Sequence, residues 1–301
     1  MPPDGVEKYS YGIDFARIDA IDIHTHVEVD AHGHRGTEPE LAAATQQYFK
    51  LGDESDTTVD AVAQHYRERN IAAVVFTIDA ESASGHPPNS VEDMVLGATR
   101  NNDILIPFGT VDPWSGRRAV RRVRTLVDDY GVKGFKFHPS IQGFEPNDRA
   151  FYPIYAAIAE AGVPALFHTG QTGMGAGLPG GAGIKLRYSD PMLLDDVAAD
   201  FPELTLVMAH PAVPWVDAQI SIATHKANMY VDLSGWSPKY FPPQLVRALS
   251  RQLRTKVLFG TDYPYLGVDR WRRDFDSLDV DPSVLPLMYK ENALRVLGVT
   301  V

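Results

Sequence analysis

Apolar residues along the chain follow two alternating rhythms. Short runs rich in Val, Ile, Leu and Phe occur at 18–26, 72–78, 104–111, 132–138, 163–169, 204–210, 229–233 and 257–261. Their length and composition predict eight strands. Between them, apolar positions recur with helical spacing at about 59–69, 90–101, 117–130, 150–160, 191–200, 216–227 and 243–253. Gly131, the Gly162-Val163-Pro164 step and Phe201-Pro202 mark turns into the next strand. A last helix is predicted over 282–297, with Asn292 or a neighbour as a break.

Strands that alternate with helices imply parallel pairing through crossover connections. Eight such units predict an α/β fold, a (β/α)8 TIM-like barrel forming a single domain over 1–301 with a core from about 18 to 298. A doubly wound open sheet is the competing architecture. Two connections are long, 27–56 and 170–189. Both follow the C-terminal end of a strand, where barrels place their active sites.

The strand ends carry the chemistry. The first ends Asp22-Ile23-His24-Thr25-His26, the fourth Lys136-Phe137-His138, the fifth Phe167-His168-Thr169, the sixth Ala209-His210-Pro211 and the eighth Gly260-Thr261-Asp262. Period-two alternation puts His24 and His26 on one face, with Asp22 on that face one layer deeper. In a closed barrel, His168, His210 and Asp262 then converge on the same point from three other strands. Imidazoles and a carboxylate from separate rigid elements are what a catalytic metal ion needs. A lone His-x-His pair, or one histidine at a strand end, is commonly structural. Four of the ten histidines together with Asp262 at matching positions make a metal site the better reading.

Composition narrows the field. With 28 Lys+Arg against 39 Asp+Glu the net charge is −11, which argues against a nucleic-acid partner. Cysteine is absent, which removes disulfides, thiolate ligands and a thiol nucleophile. The start, Met1-Pro2-Pro3-Asp4-Gly5, lacks the basic and apolar regions of a signal peptide, and no stretch approaches 18 apolar residues. A cytoplasmic location without membrane association is the expectation. Homo-oligomerisation is left open.

The motifs Asp22-Ile23-His24-Thr25-His26, Phe167-His168-Thr169-Gly170, Val207-Met208-Ala209-His210-Pro211 and Leu258-Phe259-Gly260-Thr261-Asp262-Tyr263-Pro264 resemble those of the amidohydrolase superfamily. The similarity is to the amidohydrolase-related (amidohydrolase 2) group, which also contains metal-dependent decarboxylases. Lys290-Glu291-Asn292-Ala293-Leu294-Arg295-Val296-Leu297 resembles its closing helix, and the motifs run in the expected order from 18 to 298. The resemblance implies His24, His26 and His168 as metal ligands, and Asp262 as a further ligand or proton shuttle. It implies His210 as the sixth-strand histidine that activates water or steers substrate. Two-metal members often add a carboxylated lysine from the fourth strand, near Lys136. A contact to a substrate anion is the preferred reading of Lys136, and His138 is a secondary candidate.

Arg187, Trp114, Trp236, Tyr263 and Tyr265 lie near strand C-terminal ends and are candidates for lining the pocket. His32 and His34 repeat the His-x-His spacing in a polar loop and read as solvated or as substrate contacts; His65 and His225 read as surface. Seven glycines fall within 170–183, including a formal G-x-G-x-x-G at 175–180. Pro179 interrupts it and no helix follows directly, so a substrate loop fits better than a dinucleotide fingerprint.

The expected activity is hydrolysis of an amide, ester, lactone or activated C–C bond in a small molecule. The expected cofactor is a divalent metal ion, zinc first and manganese second, with Asp262 taking the proton from water and His210 stabilising the developing oxyanion or assisting proton transfer. Non-oxidative decarboxylation of an aromatic or unsaturated acid is the alternative. A phosphate- or nucleotide-binding module and an inactive barrel scaffold are further readings; the first predicts ligand binding without metal, and the complete donor set speaks against the second.

Overall fold

The computed structural model describes residues 7–51 and 57–300. The Met1–Gly5 reading and the end of the 27–56 connection lie outside the described residues. Among the described residues, eight parallel strands follow in chain order: β1 (Ala20–His26), β2 (Ile71–Phe76), β3 (Leu105–Pro107), β4 (Phe135–Phe137), β5 (Ala165–His168), β6 (Leu206–Ala209), β7 (Met229–Asp232) and β8 (Val257–Leu258). Regular ladders join β1 to β3 and β4 to β8. The two seams between these sheets are hydrogen-bonded as well. Gly109 N donates to Gly134 O and Lys136 N to Gly109 O, while Ile23 N donates to Phe259 O and Asp262 N to His24 O. The ring therefore closes, and the (β/α)8 barrel is the observed architecture rather than the open sheet.

Alternation along the strands separates two cores. Ala72, Val74, Phe76, Ile106, Leu166, Val207 and Leu258 fill the barrel interior with Ile21 and Ile23. That inner cluster is closed at the bottom by Ile13, Phe15 and Ile18 and by Ala293, Val296 and Leu297. The intervening residues, such as Ala73, Val75, Phe137, Phe167 and Met208, pack against the surrounding helices. All six residues of β2 are buried, as expected for a parallel strand covered on both faces.

Helices form at the predicted places, with caps that explain their starts. Thr58 accepts a hydrogen bond from Ala61 N ahead of Val59–Arg67, and Ser90 from Asp93 N ahead of Val91–Arg100. The 117–130 helix runs as Arg117–Thr125 and widens into a π-type turn over Leu126–Tyr130. The 282–297 segment does not break at Asn292: a π-type turn over Leu287–Glu291 passes directly into the helix Asn292–Val296, and the buried Asn292 side chain donates to the carbonyls of Arg254 and Val257. Among the described residues, no helix is long and apolar enough to cross a membrane.

Two expectations need correction. The 27–56 connection contains a helix, Pro39–Phe49, started by Pro39 at its first turn. Phe49 packs at 4.9 Å against Tyr265 with the ring planes inclined by 37°, and Thr45 meets the Met174 sulfur at 3.3 Å, so this helix and the glycine-rich loop roof the barrel mouth together. Val268–Phe275 is a further helix that the apolar pattern did not reveal.

Candidate metal centre

The first strand does not alternate simply. Its register against β2 shifts between Asp22 and Thr25, a bulge of the kind that re-aims a side chain. Ile21 and Ile23 face the interior, so Asp22 faces the helices and does not share a face with the histidines. Its buried carboxylate accepts from His24 N, Thr261 N, Thr261 Oγ1 and Tyr66 Oη at 2.7–3.1 Å. Burial pushes its pKa up to about 6 against the pull of these bonds. Asp22 thus pins the bulge to the end of β8, and the bulge turns His24 into the mouth beside His26.

The result is a shared carboxylate. Asp262 Oδ1 lies 3.1 Å from His24 Nε2 and 3.0 Å from His26 Nε2. Burial would raise Asp262, but His24 and the bonds from both imidazoles hold it well below the usual carboxylate range. Its backbone, like that of His210, has φ of 71°, uncommon for a side chain other than glycine. At His210 this turn is decisive: Ala209 packs inside the barrel, so plain alternation would send His210 to the helices. The loop after Asp262 is capped by Thr261, whose hydroxyl accepts from Tyr263 N; a capping role for the Asp262 carboxylate is not needed there.

His168 reaches the same centre from β5. It stacks on His138 at 3.7 Å and meets His210 edge-on at 4.7 Å. Its Nε2 is buried and has no hydrogen-bond partner among the described residues, an arrangement normally avoided unless the atom has a functional partner. Lys136 is fully buried with Nζ 3.2 Å from His24 Nε2, and burial lowers its pKa to about 7.

Among the described residues, two trios of donor atoms each lie within 4.8 Å of one another: His24, His26 and Asp262, and His24, His210 and Asp232. In the first, separations of 3.0 and 3.1 Å match donors around a divalent ion bound at about 2.0–2.2 Å. The second is filled by the Ser234 hydroxyl, within 3.1 Å of all three side chains, and is a hydrogen-bonded cluster. Asp232 went unnoticed in the sequence. The signal was there: it follows Met229-Tyr230-Val231 at an inward position of an otherwise apolar strand.

The site opens into a cavity of about 1070 Å³, bordered by Lys136, His138, His210, Trp236 and Tyr265 among others. Tyr265 donates to Glu28 Oε1 at 2.8 Å and sits against His26. Three candidates lie elsewhere. Tyr263 turns outward and stacks on His65 at 4.2 Å, because the strand end that faces Asp262 inward faces its neighbour away. Arg187 is mostly exposed and pairs with Glu145 at 3.5 Å. Trp114 is exposed, its indole donating to Gln142 O. His32 is exposed and His34 binds Pro87 O; His65 is half-buried rather than on the surface.

Burial holds His138 and His168 neutral far below the usual imidazole range, and lowers His210 and His65 to about 4. Unfolding lets each take a proton below about pH 6.5, so their stability is present above that pH and is lost as pH falls. His24, raised by Asp232 and Asp262 despite its burial, and Asp22 run the other way. Lys136, lowered to about 7 by burial, acts with the depressed imidazoles above pH 7, and these groups together set the net sign. The urea midpoint of the metal-free chain is expected to be lower at pH 5.5 than at pH 8, with up to about 1.4 kcal/mol per pH unit from each fully buried imidazole. A midpoint that rises on acidification would contradict the neutral assignments.

Comparison with known proteins agrees with this architecture. A family model described as Amidohydrolase matches residues 21–299. An uncharacterised TIM-barrel protein of Bordetella bronchiseptica superposes with a TM-score of 0.75 at 22% identity, covering 93% of this chain and 98% of that one. The 5-carboxyvanillate decarboxylase of Novosphingobium aromaticivorans, complexed with manganese and 4-hydroxy-3-methoxy-5-nitrobenzoic acid, gives 0.66 at 15% identity over 97% and 99%. A probable 2-pyrone-4,6-dicarboxylic acid hydrolase of Acinetobacter baumannii, with citric acid bound, gives 0.58 at 14% over 93% and 100%. At these identities the likeness concerns the fold.

Proposed function

The chain belongs to the amidohydrolase family, and from that premise we propose that it is a metal-dependent hydrolase of a small organic molecule. His24, His26, His168 and Asp262 are the proposed ligands. The observation that carries this reading is the single Asp262 oxygen held 3.0–3.1 Å from two imidazole nitrogens, beside the unpartnered Nε2 of His168. A donor set of imidazole and carboxylate without thiolate suits zinc or manganese; zinc is the first choice, and the manganese of the decarboxylase neighbour supports the second.

When bound, such a cation polarises a carbonyl and lowers the pKa of water from about 15.7 toward about 7. Asp262, kept ionised at the cavity wall, accepts the proton from the attacking water. His210, neutral and facing the cavity, assists that transfer. Lys136, His138 and Trp236 border the substrate space. The bond attacked is an amide, ester, lactone or activated C–C bond. Decarboxylation of an aromatic or unsaturated acid is the second reading. Lys136 favours it, because its buried amine, 3.2 Å from His24 and with a pKa of about 7, can take up a proton to anchor a substrate carboxylate.

Elemental analysis of the purified chain tests the reading. About one divalent ion per chain is expected, removed with activity by a strong chelator and restored by zinc or manganese. Esters, lactones and amides assayed beside aromatic acids, with CO2 release measured, separate the two reactions. A chain that retains no ion after metal supplementation would end both.

A further inference from the structure

We infer that Asp232 and Ser234 are positioning residues that hold a hydrogen on Nδ1 of both His24 and His210, so that Nε2 of His210 is bare and Nε2 of His24 is the nitrogen given up to a bound cation. The inference rests on the metal-dependent reading of the site for its purpose, but not for its geometry.

The bonds fix the protons one by one. Ser234 has a single hydroxyl hydrogen, and it goes to Asp232 Oδ2 at 2.7 Å. Its oxygen can then only accept. His210 Nδ1, 3.0 Å from that oxygen, must therefore be the N–H nitrogen of its ring. His24 Nδ1 lies 2.6 Å from Asp232 Oδ2 and 3.1 Å from Ser234 Oγ, both acceptors, so it too carries a hydrogen. A histidine that binds a metal through one nitrogen commonly donates from the other to a carboxylate, which orients the ring and fixes its tautomer. Here one carboxylate serves His24 directly and His210 through a hydroxyl.

The surrounding backbone is shaped to this cluster. Ser234 N donates to Asp232 Oδ1 at 2.9 Å, closing a tight turn at the end of β7. Gly235 follows with φ of 75°, and a Cβ there would lie within bonding-clash distance of His210 Nδ1. Gly260, just beyond β8, approaches so closely that a Cβ would overlap Asp232 Oδ1. Both glycines are thus required by close approach to the relay.

The arrangement gives His210 a specific task. With its hydrogen committed to Ser234, neutral His210 presents a lone pair to the cavity. It can accept a proton there, but it cannot donate a hydrogen bond to a developing oxyanion until it has done so. Of the two roles open to it, proton acceptance is the one the relay supports.

Imidazole proton and nitrogen spectra of the ¹⁵N-labelled full chain, with and without zinc, test this together with zinc affinity. The wild type is expected to show slowly exchanging Nδ1–H signals from His24 and His210 when zinc is bound, and from His210 also without zinc. Asp232→Asn can turn its amide toward His24 Nδ1, driving the hydrogen to Nε2; zinc should bind roughly 10–100-fold more weakly and the His24 Nδ1–H signal should vanish. Ser234→Ala should remove the His210 signal while zinc affinity stays within about threefold, because His24 keeps its carboxylate partner. A His210 hydrogen found on Nε2 in the wild type would overturn the relay, as would an Asp232→Asn chain with native signals and native affinity. Should Asp232→Asn not fold, the wild-type and Ser234→Ala spectra decide alone. Absence of zinc binding in the wild type strikes the proposed function instead, and the zinc-free His210 signal still judges the relay.

Discussion

Asp262→Asn, reconstituted with excess zinc, is expected to lose roughly 10²–10⁴-fold in turnover while keeping its fold. The substitution preserves size and removes the charge that both imidazoles and the proposed cation share. The amide oxygen can still face the cation beside His24 and His26, but it cannot take a proton from water, and it binds a cation more weakly than a carboxylate. The fold has its own supports at this point. Asp262 N donates to His24 O, Tyr265 N donates to Asp262 O, and Thr261 caps Tyr263; none of these uses the carboxylate. Turnover per bound ion, measured beside the circular dichroism spectrum, checks the expectation. Near-native turnover would leave Asp262 a purely architectural residue.

Metal content should fall below about a tenth of an equivalent in His24→Ala and in His168→Ala, but the two variants should differ in stability. His168 Nε2 makes no hydrogen bond, so its loss removes a ligand and a stacked ring without leaving a polar group behind. His24 engages Asp232 at 2.6 Å. Removing it strips a buried carboxylate of its imidazole hydrogen-bond donor, a loss worth about 1–3 kcal/mol in the metal-free chain. Elemental analysis gives the first comparison and urea denaturation of chelated protein the second. Full metal content in either variant would remove that histidine from the ligand set. Equal destabilisation of both would mean that the Asp232 contact contributes little.

Much of this was legible in the residues, for identifiable reasons. Strands buried on both faces are written as unbroken apolar runs, and amphipathic helices keep their period, so eight units and a barrel could be read from 18 to 297. The strand-end histidines stood out because polar residues interrupt those runs. What alternation could not supply was direction. Asp22 was placed on the face of His24, and the register shift put it on the other. His210 points inward only because its backbone is left-handed, which no period announces. Tyr263 and Tyr265 were equivalent in sequence, yet the turn after Asp262 brings only the second into the cavity. Asp232 was missed because a single carboxylate among apolar neighbours says little until His24, 208 residues away, is brought to its oxygen.

Closure of the ring has a consequence for how the chain reaches its native state. The bonds from Asp22 to Thr261 span 239 residues, and the pairing of β1 with the end of β8 is correspondingly slow to nucleate, since loop-closure entropy must be overcome before the contact forms. The His24–His26–Asp262 trio straddles that seam. No fragment lacking either end of the chain holds the trio, so a cation cannot serve as an early template for collapse. It would instead bind last and act as a latch, deepening the native well by mass action as its free concentration rises above its dissociation constant. Metal supply would then govern how long the finished barrel stays shut, with little influence on how quickly it is made.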